Sequence, residues 1–151
     1  MKLALFDTNI LLRLLQSQHP QHSAANMAQL KIVDLGYRPC LIPQVIIEFR
    51  SVSTRPLLVN GLGMTQNEAD AEIARLLEIH LLFEDRTEIF DEWRSLVSIF
   101  GAQGKQNHDA RIVAAMNVHK IDAILTFNSD DFERYTGIEV MNPVNVIQPS
   151  G

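Results

Sequence analysis

The chain has 151 residues, enough for one domain around one core, with 46% hydrophobic and 21% charged residues. No apolar run approaches the roughly 18 residues of a membrane span, the apolar start is cut short by Asp7 before it could act as a signal segment, and the single cysteine, Cys40, permits no internal disulfide. A soluble cytoplasmic protein with no membrane partner is expected; the net charge of −5 speaks against a simple basic nucleic-acid binder and leaves room for an enzyme with clustered acids.

Lys2–Phe6 reads as a buried strand, and Asn9–Leu15 continues with apolar residues at helical spacing. His19-Pro20 breaks that pattern before an amphipathic helix over Ser23–Leu35, which Gly36 ends. Arg38–Ile42 is a second strand, with Cys40 as a small core residue. Pro43 then opens a helix through about Val52, proline being suited to the first helical turn. Val45, Ile46, Ile47 and Phe49 suggest that this helix is largely buried. Arg55–Met64, with a proline and two glycines, reads as a loop. Thr65 followed by Glu68 is a capping-box pattern, and its helix runs to about Ile79 with Ile73, Leu76 and Leu77 on one face. Leu81–Phe83 is a possible third strand. Thr87–Phe100 carries Ile89, Phe90, Trp93, Leu96 and Val97 at helical spacing, and Gly101–Gln106 is a polar loop. Asp109–His119 is a further helix, Ala123–Thr126 a strand, Asp131–Tyr135 one helical turn and Glu139–Met141 a last strand. The alternation predicts a single three-layer α/β domain over residues 1–151, with a parallel sheet of four to five strands between helices.

Ligands of such sheets bind beyond the carboxyl ends of the strands. Asp7 follows the first strand there, Glu48 lies early in the helix after the second, and Asn128, Asp130 and Asp131 follow "AILTF". Asp109 opens the helix that leads into that strand. Taken singly, each acid has a plain structural explanation. Asp7 suits a cap, Glu48 could pair with Arg50, Asp109 suits a helix dipole, and Asp130 and Asp131 suit a turn. Together they lie where one site would form. Two carboxylates about 4 Å apart repel by roughly 4 kcal/mol at an effective dielectric near 20, so converging acids call for a cation. Oxygen donors select Mg²⁺ or Mn²⁺ rather than zinc. His19, His22, His80 and His119 show no zinc spacing, and His108 beside Asp109 suits a surface or capping role.

The segments "FDTNILL", "PQVIIEF", "NHDARIVAAM" and "ILTFNSDDF", in this order and spacing, resemble the PIN-domain ribonucleases, and among them the bacterial VapC-type toxins. The resemblance implies a Mg²⁺- or Mn²⁺-dependent ribonuclease with RNA as substrate, a small antitoxin protein as partner, and a homodimer. It matches Asp7, Glu48 and Asp109 to the family's acids, with Asp7 and Asp109 holding the metal and Glu48 acting directly or through water. Thr8 and Asn9 match residues that brace the first acid, and Thr126 matches the threonine of the last motif. Where many members carry an aspartate, this chain has Asn128, which makes Asn128 and Asp130 supporting or substrate-side residues and Asp131 the substitute acid. Arg13, Arg50, Arg55, Lys105 and Arg111 are candidates for RNA contacts.

Other classes fit less well. A haloacid-dehalogenase-like phosphatase would place a second aspartate at Asn9, and no glycine loop is followed by the Lys-Ser or Lys-Thr of a phosphate-binding loop. An inactive PIN-fold interaction module, or a PIN ribonuclease outside any toxin–antitoxin pair, would show the same motifs.

Overall fold

The computed structural model describes residues 1–149, and its five strands are all parallel. They are β1 (Lys2–Phe6), β2 (Tyr37–Leu41), β3 (Leu81–Leu82), β4 (Ala123–Leu125) and β5 (Glu139–Met141), in the order β3-β2-β1-β4-β5. The helices are α1 (Thr8–Leu15), α2 (His22–Asp34), α3 (Pro43–Thr54), α4 (Gln66–Ile79), α5 (Glu88–Phe100), α6 (Gln106–His119) and the short α7 (Pro143–Val146).

The chain lays down β1, β2 and β3 outward in one direction, then crosses back to set β4 on the other side of β1. The strand order therefore reverses between β1 and β4, and at such a reversal the loops leaving two adjacent strands diverge and open a crevice. Strand β1 pairs with both neighbours, and its Ala4, Leu5 and Phe6 are fully buried. Pro39, which has no N–H to give a ladder, is tolerated in β2 because β3 pairs only with Cys40 and Leu41, leaving β2 an edge at that point. Cys40 is sealed in the core, where burial pushes its thiol up to about 12 and leaves it an inert packing group. Helix α6 buries Ala110 and the whole run Ile112–Met116, and its alanines let the backbone lie close to its neighbours.

Several expectations shift on contact with the structure. Thr65 and Glu68 do form both halves of a capping box on α4. Leu77, however, is 42% exposed, because the buried stripe of α4 runs through Ala69 and Leu76. Ile47 is 67% exposed, so α3 buries only one face. Helix α6 begins at Gln106, one turn before Asp109. The turn expected over Asp131–Tyr135 is a 3-10 turn over Ser129–Asp131, and a further 3-10 turn, Leu57–Val59, lies inside the expected loop. Helix α7, opened by Pro143 and capped by the Asn142 side chain, adds an element the periodicity did not announce.

Candidate active site

Strand β1 ends at Phe6, yet the ladder continues for one more bond, from the Asp7 N–H to the Leu125 carbonyl at 3.0 Å. This pins Asp7 to the end of β4 and makes it the cap of α1. Its Oδ1 accepts from the Thr8 N–H at 2.8 Å, and its Oδ2 accepts from the Thr126 hydroxyl at 2.7 Å. Thr126 is fully buried. Its oxygen also accepts from the Asn9 amide at 3.2 Å and from the Asn128 N–H at 3.0 Å. The Asn9 carbonyl oxygen accepts from the Phe127 N–H at 3.1 Å, which fixes which end of that amide faces Thr126. The β1–α1 turn and the end of β4 are thus sewn together around one hydroxyl.

The second acid arrives from α3. Glu48 Oε2 lies 3.1 Å from the Thr8 hydroxyl, so Thr8 links the first acid to the second through its N–H and its side chain. The third acid, Asp109, sits in the first turn of α6 and is 8% exposed. All three line one cleft of about 400 Å³ together with Lys105, Asn128 and Asp131. Leu12, Val52, Ile112 and Phe132 form its apolar walls.

Burial pushes the Asp109 carboxyl up to about 6; the Lys105 ammonium opposes this, and the charges of Asp131, Asp7 and Glu48 reinforce it. Burial also raises Asp7, while the Thr126 hydroxyl and the Thr8 N–H hold it down. The cleft therefore concentrates negative charge at a cost, and that cost is what a bound cation relieves. Among the described residues no three Asp, Glu, His or Cys side chains are gathered tightly enough to hold an ion as they stand. The donor set nonetheless fits a hard divalent cation, because every candidate ligand offers oxygen.

A model of the PIN domain matches residues 4–138. The chain belongs to the PIN domain family. Among curated protein sequences none matches it significantly. Its fold is similar to that of a chain of VapBC-1 from nontypeable Haemophilus influenzae, with a TM-score of 0.68 and 15% identity over 94% of this chain and 98% of that one. It is also similar to a chain of VapBC2 from Rickettsia felis, solved with a promoter DNA fragment, with a TM-score of 0.65 and 15% identity over 93% and 98%. VapC20 of Mycobacterium tuberculosis, described as a sarcin–ricin loop cleaving toxin, aligns with a TM-score of 0.60 and 17% identity over 85% and 92%. These likenesses establish the PIN fold.

Around the PIN cleft the remaining candidates divide. Lys105 lines it and pairs with Asp131 at 3.3 Å, and Arg55 lines it from the loop after α3. That loop turns back so tightly that a Cβ on Gly61 would stand 1.9 Å from the Arg55 carbonyl oxygen. Arg13 and Arg50 do not line the cleft: Arg13 hydrogen-bonds Gln21 and Gln16 at 3.0 and 2.8 Å, and Arg50 lies 3.1 Å from Asp70 rather than pairing with Glu48. Arg111 hydrogen-bonds Gln44 at 3.2 Å, lies 3.4 Å from Asp85, and borders a recess that reaches Glu48. Asp130 is exposed and also stands outside the cleft lining. Gln44 is the residue the sequence reading overlooked. Its amide donates to the His108 carbonyl at 3.0 Å and, more weakly, to Glu48 at 3.4 Å, tying α3 to the first turn of α6. Its place four residues before Glu48, on the same helix face, was the available signal.

Proposed function

We propose that this PIN protein is a cytoplasmic, Mg²⁺- or Mn²⁺-dependent endoribonuclease, acting as the toxin of a type II toxin–antitoxin pair. The carrying observation is the arrival of Asp7, Glu48 and Asp109 from three distant segments at one cleft, with Asp7 oriented by Thr8, Asn9 and Thr126. The VapBC neighbours support the toxin assignment, and the sarcin–ricin loop cleavage ascribed to VapC20 supports RNA as substrate.

In this reading Asp7, Glu48 and Asp109 would hold the metal, and Asp131 would substitute for the acid absent at Asn128. A divalent ion held there would neutralise charge at the scissile phosphate and make the attacking water easier to deprotonate. Glu48 takes the proton of that water. Thr126 opposes the effect of burial on the Asp7 carboxyl and aims it, and Asn9 holds Thr126. Lys105 and Arg55, at the mouth, meet the phosphate charge. Attack in line leaves a 3′-hydroxyl and a 5′-phosphate. A small antitoxin closes the same cleft, and two copies of the chain form the resting toxin.

The test is incubation of the purified protein with total RNA and Mg²⁺, Mn²⁺ or EDTA, beside Asp7→Asn and Asp109→Asn. Cleavage should require metal and fall by orders of magnitude in either variant; full activity in both would refute the assignment. A short reading frame directly upstream, whose product blocks cleavage on mixing, tests the toxin–antitoxin part, and light scattering tests the dimer.

A further inference from the structure

Beside the cleft lies a second cavity of about 400 Å³, bounded by Phe90 and Trp93 of α5 and by Asn107, His108 and Arg111 of α6. Helix α5 turns Ile89 and Leu96 into the core and leaves Phe90 61% exposed. Phe90 is stacked on Trp93, with ring centroids 5.9 Å apart and planes inclined by 27°. Trp93 is anchored: its indole N–H donates to the Asn107 carbonyl at 2.7 Å, within the helical turn that carries Asp109. The aromatic pair is therefore fixed to the same rigid element as one of the candidate catalytic acids. His108 borders both the cavity and the cleft, and the recess between them is shared by Glu48, His108 and Arg111.

The charges nearby do not make this a phosphate site. Arg111 lies 3.4 Å from Asp85, and Arg86, at the cavity edge, lies 3.3 Å from Glu88. What the cavity offers is a fixed aromatic shelf with a guanidinium at its side. Single-stranded RNA presents unstacked bases that pack on aromatic rings and on guanidinium planes.

We propose that the Phe90–Trp93 shelf is a subsite for an unpaired base of the RNA substrate next to the scissile bond. The proposal rests on the ribonuclease reading above and extends it. It also accounts for how a chain of net charge −5 grips a polyanion: part of the hold comes from stacking, which salt does not screen.

Trp93 is the only tryptophan, so its fluorescence reports on the shelf alone. The full-length Asp7→Asn protein, with Mg²⁺, is titrated with a labelled single-stranded tetraribonucleotide while label anisotropy and Trp93 emission are followed together. Emission should change in step with binding. Phe90→Ala and Phe90→Leu in that background should weaken binding by about 5- to 150-fold, the worth of one base stack, whereas Phe90→Tyr retains it. The loss should leave the salt slope unchanged, since no phosphate contact is removed. Removing the base at one position of the oligonucleotide should reproduce the loss. Binding with unaltered Trp93 emission, or full affinity in both Phe90→Ala and Phe90→Leu, overturns the subsite while the ribonuclease reading stands. Failure to bind any RNA, together with no cleavage of RNA by the parent protein in Mg²⁺ or Mn²⁺, removes both. Emission that answers only to an aromatic antitoxin peptide, and not to RNA, overturns the proposal in favour of a protein anchor.

Discussion

Thr126→Val changes one hydroxyl to a methyl at a fully buried position and nearly preserves volume. Three partners lose their contact: the Asp7 carboxylate at 2.7 Å, the Asn128 N–H at 3.0 Å and the Asn9 amide at 3.2 Å. A hydrogen bond to a charged group contributes about 1.5–3 kcal/mol and the orphaned Asn128 N–H about 1–3 kcal/mol, while the Asn9 amide keeps its weaker contact to Asp7, so the expected cost is roughly 2.5–6 kcal/mol. A second effect follows from the first. The Thr126 hydroxyl is the strongest influence holding the Asp7 carboxyl down against its burial, so without it Asp7 keeps its proton to higher pH. A divalent ion must then displace that proton wherever the pH lies below the raised value, so metal affinity falls as the pH is lowered. Urea unfolding and calorimetric Mg²⁺ titration at two pH values check both effects. The variant should unfold at lower urea and bind Mg²⁺ more weakly than the parent, with the deficit growing as the pH is lowered and partly recovered as it is raised. Thr126→Ser, which restores the hydroxyl, should recover both quantities. A variant whose unfolding midpoint and Mg²⁺ affinity both equal those of the parent would refute the idea that this hydroxyl orients and ionises Asp7.

Other outcomes follow from the same geometry. Asp109 is raised from 3.8 to about 6, so the metal-free fold binds its proton more tightly than the unfolded chain does; this stability is full below the ordinary carboxylate range and is lost as pH rises through about 6. It amounts to at most about 3 kcal/mol. Burial keeps His80 below its usual value and acts in the opposite direction over the same range, so the measurement is the difference between the parent and Asp109→Asn from pH 5 to 7.5, which saturating Mg²⁺ should flatten. Lys105→Ala removes the cation that pulls Asp109 down, and carbon-detected NMR should find the Asp109 carboxyl titrating above its value in the parent. Thr65→Ala removes one half of the α4 capping box, on a helix outside the cleft, and should cost about 1 kcal/mol of stability while leaving RNA cleavage unaltered.

The strands were legible because each is an apolar run stopped by a turn residue, and their alternation with helices left a parallel sheet as the natural arrangement. Asp7, Glu48 and Asp109 could be named because each stands near the end of a strand or the start of the helix beside it. Their meeting at one cleft depends on the strand order, which no local pattern contains. Helical spacing placed Phe90 with Ile89, yet adjacent helix residues point about 100° apart, and packing chose Ile89 for the core. Asp109 looked like a helix start because acids favour that end, but the turn at Gly104 and Lys105 lets α6 begin earlier. Arg50 finds Asp70 and Arg13 finds Gln21, partners set by tertiary packing. Gln44 escaped notice because a neutral amide announces no chemistry until its three contacts are seen.

The hydroxyl that joins Asp7 to the end of β4 bridges residues 119 positions apart. A ribosome therefore delivers the first acid long before its brace. Until Thr126 has emerged and β4 has docked beside β1, Asp7 lacks its hydroxyl brace and the strand that receives its N–H, and Asp109 has no finished wall to face. A nascent or prematurely ended chain thus carries the acids without the site. For a protein proposed to cut RNA, this order of assembly separates synthesis of the acids from activity, because the cleft exists only once β4 has docked beside β1.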